Sequence, residues 1–255
     1  MRNLFLRTLI LAVVVIAARY GLSLPQPQQT TPPAQATAPE PAHPCDVLRA
    51  QKDYPAAIHC FQEAISKDRK NAILYNKLGM AELQADDLQN ALANFTSATK
   101  LNSRFAEAQN NIGAVYYVQK KYGNAAKYFK KAVALNETHA TYHVNLGAAW
   151  FGMNNIDRAL AEYQRALQLD PDVLVKNSKM GVTVQISNPE ERAKYEFMMA
   201  KVYAQLGDND RCLECLRKAK EGGYRGLNKV YEDQEFAVVR QDARLASIVP
   251  PPAPK

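Results

Sequence analysis

The chain has 255 residues, room for one extended domain or two small ones. Hydrophobic residues at 47% and charged residues at 22% exclude a wholly disordered polymer. The net charge is +7, but residues 45–249 hold 28 Lys+Arg against 24 Asp+Glu, so the folded part is only mildly basic and no nucleic-acid partner is expected. The densest cluster, Lys120, Lys121, Lys127, Lys130 and Lys131, reads as a solvated helix face.

In chain order, residues 1–24 come first. Arg2 and Arg7 precede a mostly apolar run of 11 residues, 8–18, as in a secretory signal peptide. A spanning helix needs about 20 apolar residues, so cleavage is favoured over an uncleaved N-terminal membrane anchor. Both readings place the rest of the chain in an exported location: periplasmic, envelope-anchored or secreted. Residues 25–44 contain seven prolines and almost no charge, which predicts a disordered, extended linker.

Beyond it the sequence repeats. Gly79, Gly113 and Gly147 stand 34 residues apart. Twelve residues after each comes Ala91, Ala125 or Ala159, then an aromatic at Phe95, Phe129 or Tyr163, then Ala98, Ala132 or Ala166. The same phase reaches back to Ala57, Phe61 and Ala64. It reaches forward, displaced by 53 instead of 34, to Ala200, Cys212, Leu216 and Ala219. These columns resemble the tetratricopeptide repeat, in the type found in exported bacterial proteins. The resemblance implies an all-α fold, a right-handed solenoid of antiparallel helix pairs. Repeats are expected at 45–71, 72–105, 106–139, 140–173 and 193–223. An insertion occupies 174–192, in which residues 181–187 alternate like a short hairpin or extended loop. Asn188, Pro189 and two acids then start a lengthened helix. Residues 224–249, with Asp233 and Glu235 before Phe236, then Arg240, Asp242 and Arg244, resemble a C-terminal cap. Residues 250–255 read as a disordered tail.

No phosphate-binding loop, nucleophile elbow or zinc-protease motif is present, so the chain reads as non-catalytic, with no cofactor, metal or small-molecule substrate. His139 and His143 are spaced like metal ligands but lack an obvious third. Cys45 and Cys60 fall on facing helices of the first repeat, where a disulfide and two packed thiols are both open readings. Cys212 and Cys215 form C-x-x-C near a helix start. That pattern suits thiol–disulfide chemistry, but Cys212 also stands in an alanine column that demands a small buried residue.

The resemblance implies that first helices line a concave groove. Its candidate contacts are Asn76, Lys77, Met80 and Leu83; Asn110, Asn111, Ala114 and Tyr117; Val144, Asn145, Ala148 and Phe151; then Phe197, Met198 and Lys201. Amides there could hold the backbone of a peptide or partner helix. The family's carboxylate-binding clamp maps onto Asn76, Met80, Asn111, Thr141 and Asn145, where only Asn111 matches, so free peptide C-termini are not expected to be preferred. The expected function is a protein-binding scaffold of the cell envelope. The alternatives are a redox role for Cys212 and Cys215, or an accessory subunit of an envelope enzyme or secretion complex.

Overall fold

The computed structural model describes residues 43–177 and 188–252. The hairpin or loop expected at 181–187, and the N-terminal targeting and linker segments up to residue 42, lie outside those residues. Among the described residues every regular element is helical. None of these helices is long and apolar enough to cross a membrane.

Five antiparallel pairs follow one another: α1 (Pro44–Ala50) with α2 (Tyr54–Lys67), α3 (Ala72–Gln84) with α4 (Leu88–Leu101), α5 (Ala106–Val118) with α6 (Tyr122–Leu135), α7 (Ala140–Gly152) with α8 (Ile156–Leu169), and α10 (Pro189–Gln205) with α11 (Asn209–Glu221). The short α9 (Val173–Asn177) follows α8. The two helices of each pair pack on one another, and each first helix from α3 onward packs on the second helix of the preceding pair.

Two boundaries bear on the sequence reading. Helix α1 starts at Pro44, not after it: proline at N1 lacks only an N–H that would be unbonded there, and His43 Nδ1 accepts from the Cys45 N–H at 3.3 Å. The fifth pair starts at Pro189, with Asn188 as its cap accepting from the Glu190 N–H, where the sequence reading starts its lengthened helix though it counts the repeat from 193; the stretch assigned to the insertion opens with helix α9.

Turns repeat with the same phase as the core. The link inside each pair passes through a left-handed residue, at Lys52, Asp86, Lys120, Asn154 and Gly207, with φ between 58° and 75°. The next residue caps the second helix. Asp53, Asp87, Asn155 and Asp208 each accept a hydrogen bond from the N–H three positions on. Lys121 occupies that position in the third pair and makes no such bond. Lys121→Asp should therefore stabilise the protein by about 1 kcal/mol and raise Tm by a few degrees, read by thermal melting. Links between pairs use another phased residue: Asp68, Asn102, Asn136 and Asp170 each accept from the N–H two residues on, at 3.0–3.3 Å.

Small residues admit the aromatic column. A Cβ on Gly79 would lie 2.8 Å from the Phe95 ring, one on Gly113 2.6 Å from Phe129, and one on Gly147 3.1 Å from Tyr163. Ala57, Ala91, Ala125 and Ala159 are all fully buried, as are the four aromatics Phe61, Phe95, Phe129 and Tyr163. In the fifth pair Cys212 and Leu216 take these two columns and are equally buried.

The ends are closed differently. A disulfide joins Cys45 of α1 to Cys60 of α2, Cα–Cα 5.5 Å. His43 stacks on Phe61 beside it, ring centroids 5.7 Å apart. At the other end, 3-10 turns at Leu227–Tyr231, Gln234–Phe236 and Val239–Gln241 and the short α12 (Leu245–Ile248) cover the last pair. They bury Val230, Phe236, Val239 and Leu245, as a stacked fold requires of a terminal layer. Arg240 Nη1 donates to the Val230 and Asp233 carbonyls, tying two turns together. Arg244 bonds Asp242 through two nitrogens and reaches Asp210 of α11. Its guanidinium holds the Asp242 carboxyl down to about 2.

Candidate functional site

First helices α3, α5 and α7 stand side by side, and their polar residues bond to one another. Asn111 Nδ2 donates to Asn76 Oδ1 at 2.9 Å, and Asn145 Nδ2 donates to Asn110 Oδ1 at 2.8 Å. Asn76 also donates to Glu107 Oε1 at 3.0 Å. Lys77 continues the series toward the N-terminus by pairing with Asp46 of α1 at 2.6 Å. The amides therefore form an inter-repeat ladder. Asn76 and Asn145 are each 2% exposed and Asn110 is 8% exposed. This corrects the expectation that these asparagines hold a partner's backbone: they cross-link neighbouring helices, because a buried amide must find its partner within the fold. Asn145→Ala leaves the Asn110 side chain with an unmet bond in a buried setting. It should cost about 1–3 kcal/mol in denaturant unfolding, more than replacing both asparagines by leucine.

Lys201 is also committed. Its ammonium pairs with Asp233 at 2.5 Å and Glu235 at 3.4 Å, both in the cap. Phe197 stacks on Tyr224 at 4.6 Å and meets Phe236 at 5.6 Å. Phe197 and Lys201 therefore meet the cap as Asn76 meets α5, facing the next layer and not a ligand. Met198, Val144, Ala114 and Ala148 are buried as well.

What stays accessible is aromatic. Tyr117 tilts against Tyr122 with centroids 5.3 Å apart. The Tyr122 ring lies over Gly152, where a Cβ would come within 2.7 Å of it. Phe151 meets Tyr195 edge-on at 5.5 Å, and Tyr195 meets the buried Tyr163 at 5.8 Å. Tyr117, Phe151 and Tyr195 are half-buried, while Val118 and Met153 beside them are exposed. Burial pushes the Tyr117 hydroxyl well above its ordinary range, with Tyr122 and Glu191 adding to the effect. Met80 and Leu83 are half-buried against the Phe95 cluster. Tyr117 and Phe151 were read from their column. Tyr122 and Tyr195 were missed, the first because it starts a second helix and the second because the inserted residues break the phase.

The remaining candidates resolve into packing. Both ring nitrogens of His143 are engaged, Nδ1 with Glu162 at 2.7 Å and Nε2 with the Glu137 carbonyl at 3.0 Å, and His139 lies flat on Tyr142. Among the described residues no group of three or more His, Cys, Asp or Glu is arranged to hold a metal ion. Cys212 and Cys215 are both buried free thiols. Burial pushes Cys212 up to about 12 and Cys215 higher still, with Asp208 and Glu196 reinforcing the shifts. A thiolate, the reactive form, is thus disfavoured at neutral pH. In the folded protein both cysteines should resist alkylation at pH 8 and react only on unfolding; modification of either within minutes would contradict this.

The same architecture is seen in known proteins. Tetratricopeptide-repeat profiles match residues 76–140, 140–173 and 193–221, and a TPR-repeat profile matches 46–85. A chloroplastic tetratricopeptide repeat domain-containing protein of Arabidopsis thaliana, PYG7, is 32% identical over 112 residues, 42% of this chain and only 37% of that relative. Among solved structures, a crystal structure of MamA covers 71% of this chain and 94% of its own, at 19% identity and TM-score 0.51. MamA 41-end from Desulfovibrio magneticus RS-1 covers 69% and 89%, at 20% identity and TM-score 0.50. The phased glycines and alanines, the stacked pairs and the profile matches along residues 46–173 and 193–221 agree, and the chain belongs to the tetratricopeptide repeat family.

Proposed function

We propose that the chain is a non-catalytic scaffold of the cell envelope that binds a peptide or helix of another protein along its first helices. The observation that carries this reading is the aromatic surface of Tyr117, Phe151 and Tyr195. It is the part of the first-helix face whose side chains are neither bonded into the amide ladder nor covered by the cap. Half-exposed rings with apolar neighbours suit a partner's side chains far better than they suit water. Tetratricopeptide arrays are protein-interaction scaffolds, and nothing in this chain's chemistry asks for a different role. Location outside the cytoplasm rests on the charged and apolar pattern of residues 1–24. Action as an accessory subunit of an envelope enzyme or secretion complex is the same reading with the assembly specified. The thiol alternative has burial and raised pKa values against it.

The test is recovery of crosslinked partners from native envelopes by the wild type and by Tyr117→Ala with Phe151→Ala. The double variant keeps its helix content and loses the partners. Undiminished recovery by a folded double variant would place the contact elsewhere.

A further inference from the structure

The accessible rings form one strip that crosses the third, fourth and fifth pairs. Tyr117 of α5 tilts against Tyr122 at the start of α6, Tyr122 lies over Gly152 beside Phe151 of α7, and Phe151 meets Tyr195 of α10 edge-on. Interplanar angles of 59° for the first contact and 83° for the last leave notches between successive rings instead of a flat stack.

The polar atoms along this strip are chiefly donors. Burial holds the hydroxyls of Tyr117, Tyr195 and Tyr163 well above the ordinary phenol range, so all three keep their protons. Tyr163 stands where its counterparts Phe61, Phe95 and Phe129 carry no hydroxyl, and its own lies by that of Tyr195 without a partner in hydrogen-bonding geometry. Lys120 and Lys121 stand between Tyr117 and Tyr122 in the chain; both are exposed, and neither is ion-paired among the described residues. An ammonium group donates and never accepts. The amides of the first helices are tied up in the ladder. Glu191, whose charge reaches the Tyr117 hydroxyl, stands in the first turn of α10, where it offsets the helix dipole.

We propose that the occupant of this strip is a proline-rich segment in the polyproline II conformation, with an acidic residue beside Lys120 and Lys121. The inference rests on the scaffold reading and specifies its partner. Such a segment brings free carbonyl acceptors and few N–H groups, the complement of a surface rich in donors. An α-helix spends its carbonyls on itself, and a β-strand brings an N–H with each carbonyl, which this surface would leave unpaired. The spacing agrees. Polyproline II turns once in about 9 Å, close to the roughly 8–10 Å between packed helices, so one turn meets each layer. A strand repeats one face about every 6.7 Å and is out of phase within a single layer. Pyrrolidine rings fit the notches between tilted aromatics, and a carboxylate complements the two unpaired lysines.

The experiment is titration calorimetry of the full chain with three end-capped peptides: decaproline, decaproline with a glutamate at each end, and an amphipathic leucine–glutamine helix of matched length. The wild type binds the glutamate-flanked peptide most tightly, plain decaproline next and the helix least. Tyr117→Ala with Phe151→Ala weakens both proline peptides by roughly tenfold with unchanged circular dichroism. Tyr117→Phe keeps the ring and the fold, and loses about threefold through the missing donor. Lys120→Gln with Lys121→Gln leaves plain decaproline unchanged and removes the advantage of the glutamates. The proposal is overturned if the wild type prefers the helix, or if the folded alanine double variant binds the proline peptides as well as the wild type does. A helix preference that depends on Tyr117 and Phe151 would strike the proline assignment and leave the scaffold reading standing. If neither the peptides nor the native partners depend on these rings, both fall.

Discussion

Replacing Phe129 by alanine should destabilise the protein by about 3–5 kcal/mol and lower Tm by roughly 10 °C or more. The ring is fully buried in the third pair and fills the space that Gly113 leaves open, since a Cβ there would stand 2.6 Å from it. Gly113→Leu should be destabilising for the opposite reason, an overfilled contact, by about 1–3 kcal/mol. The two changes are coupled through one volume, so the double variant should cost less than the sum of the singles. Thermal melts of the four proteins provide the check. Strict additivity would mean that glycine and ring do not share the contact, and an unchanged melt for either single variant would undermine the packing scheme.

Removing the Cys45–Cys60 bond has the second large effect, and it should be local. The bond closes a sequence separation of 15 residues, for which loss of the cross-link costs about 3 kcal/mol. Helix α1 has only seven residues, too few to persist by its own hydrogen bonds. Without the disulfide it retains the stacking of His43 on Phe61 and the Asp46–Lys77 pair. In a stacked array each layer depends chiefly on its neighbours. Hydrogen exchange in the presence of reductant, or of Cys45→Ser with Cys60→Ser, should show protection lost in α1 and α2 and retained in α5 to α8. Uniform loss across all pairs would contradict a layered fold.

The helix pairs and their core were readable from the amino acids because their cause is periodic. One interval sets small residues against aromatics, and the structure keeps that interval in the buried columns at Ala91, Phe95 and Ala98 and their counterparts, of which Ala64 in the first pair is only partly buried. The turns obey the same interval: breakers and caps at one phase, such as Asp86-Asp87 and Asn154-Asn155, are legible in the amino acids, and the hydrogen bonds pick Asp53, Asp87, Asn155 and Asp208 as the caps and add the linking series Asp68, Asn102, Asn136 and Asp170.

The binding face was less readable, for a geometric reason. A repeat position identifies a column, but adjacent columns on a first helix differ in whether they meet solvent or the next helix. Asn76 and Asn110 on one column and Asn111 and Asn145 on the next point at each other across the seam. Their amide chemistry suits a peptide backbone or a neighbouring amide equally well, and only the three-dimensional arrangement decides. Lys201 was misread because its partners, Asp233 and Glu235, belong to a segment with no repeat phase. Cys212 was ambiguous until its burial showed that it fills an alanine position.

The claim on which the functional account rests is that partners touch the aromatic face of the first helices. Site-specific photocrosslinking tests it most directly, with a benzophenone-bearing phenylalanine analogue placed at Phe151, at Tyr117, and at Ser66 on the exposed side of α2 as control. Adducts in native envelopes from Phe151 and Tyr117, and none from Ser66, are the predicted result. Adducts from Ser66 alone, or equally from all three positions, would contradict it.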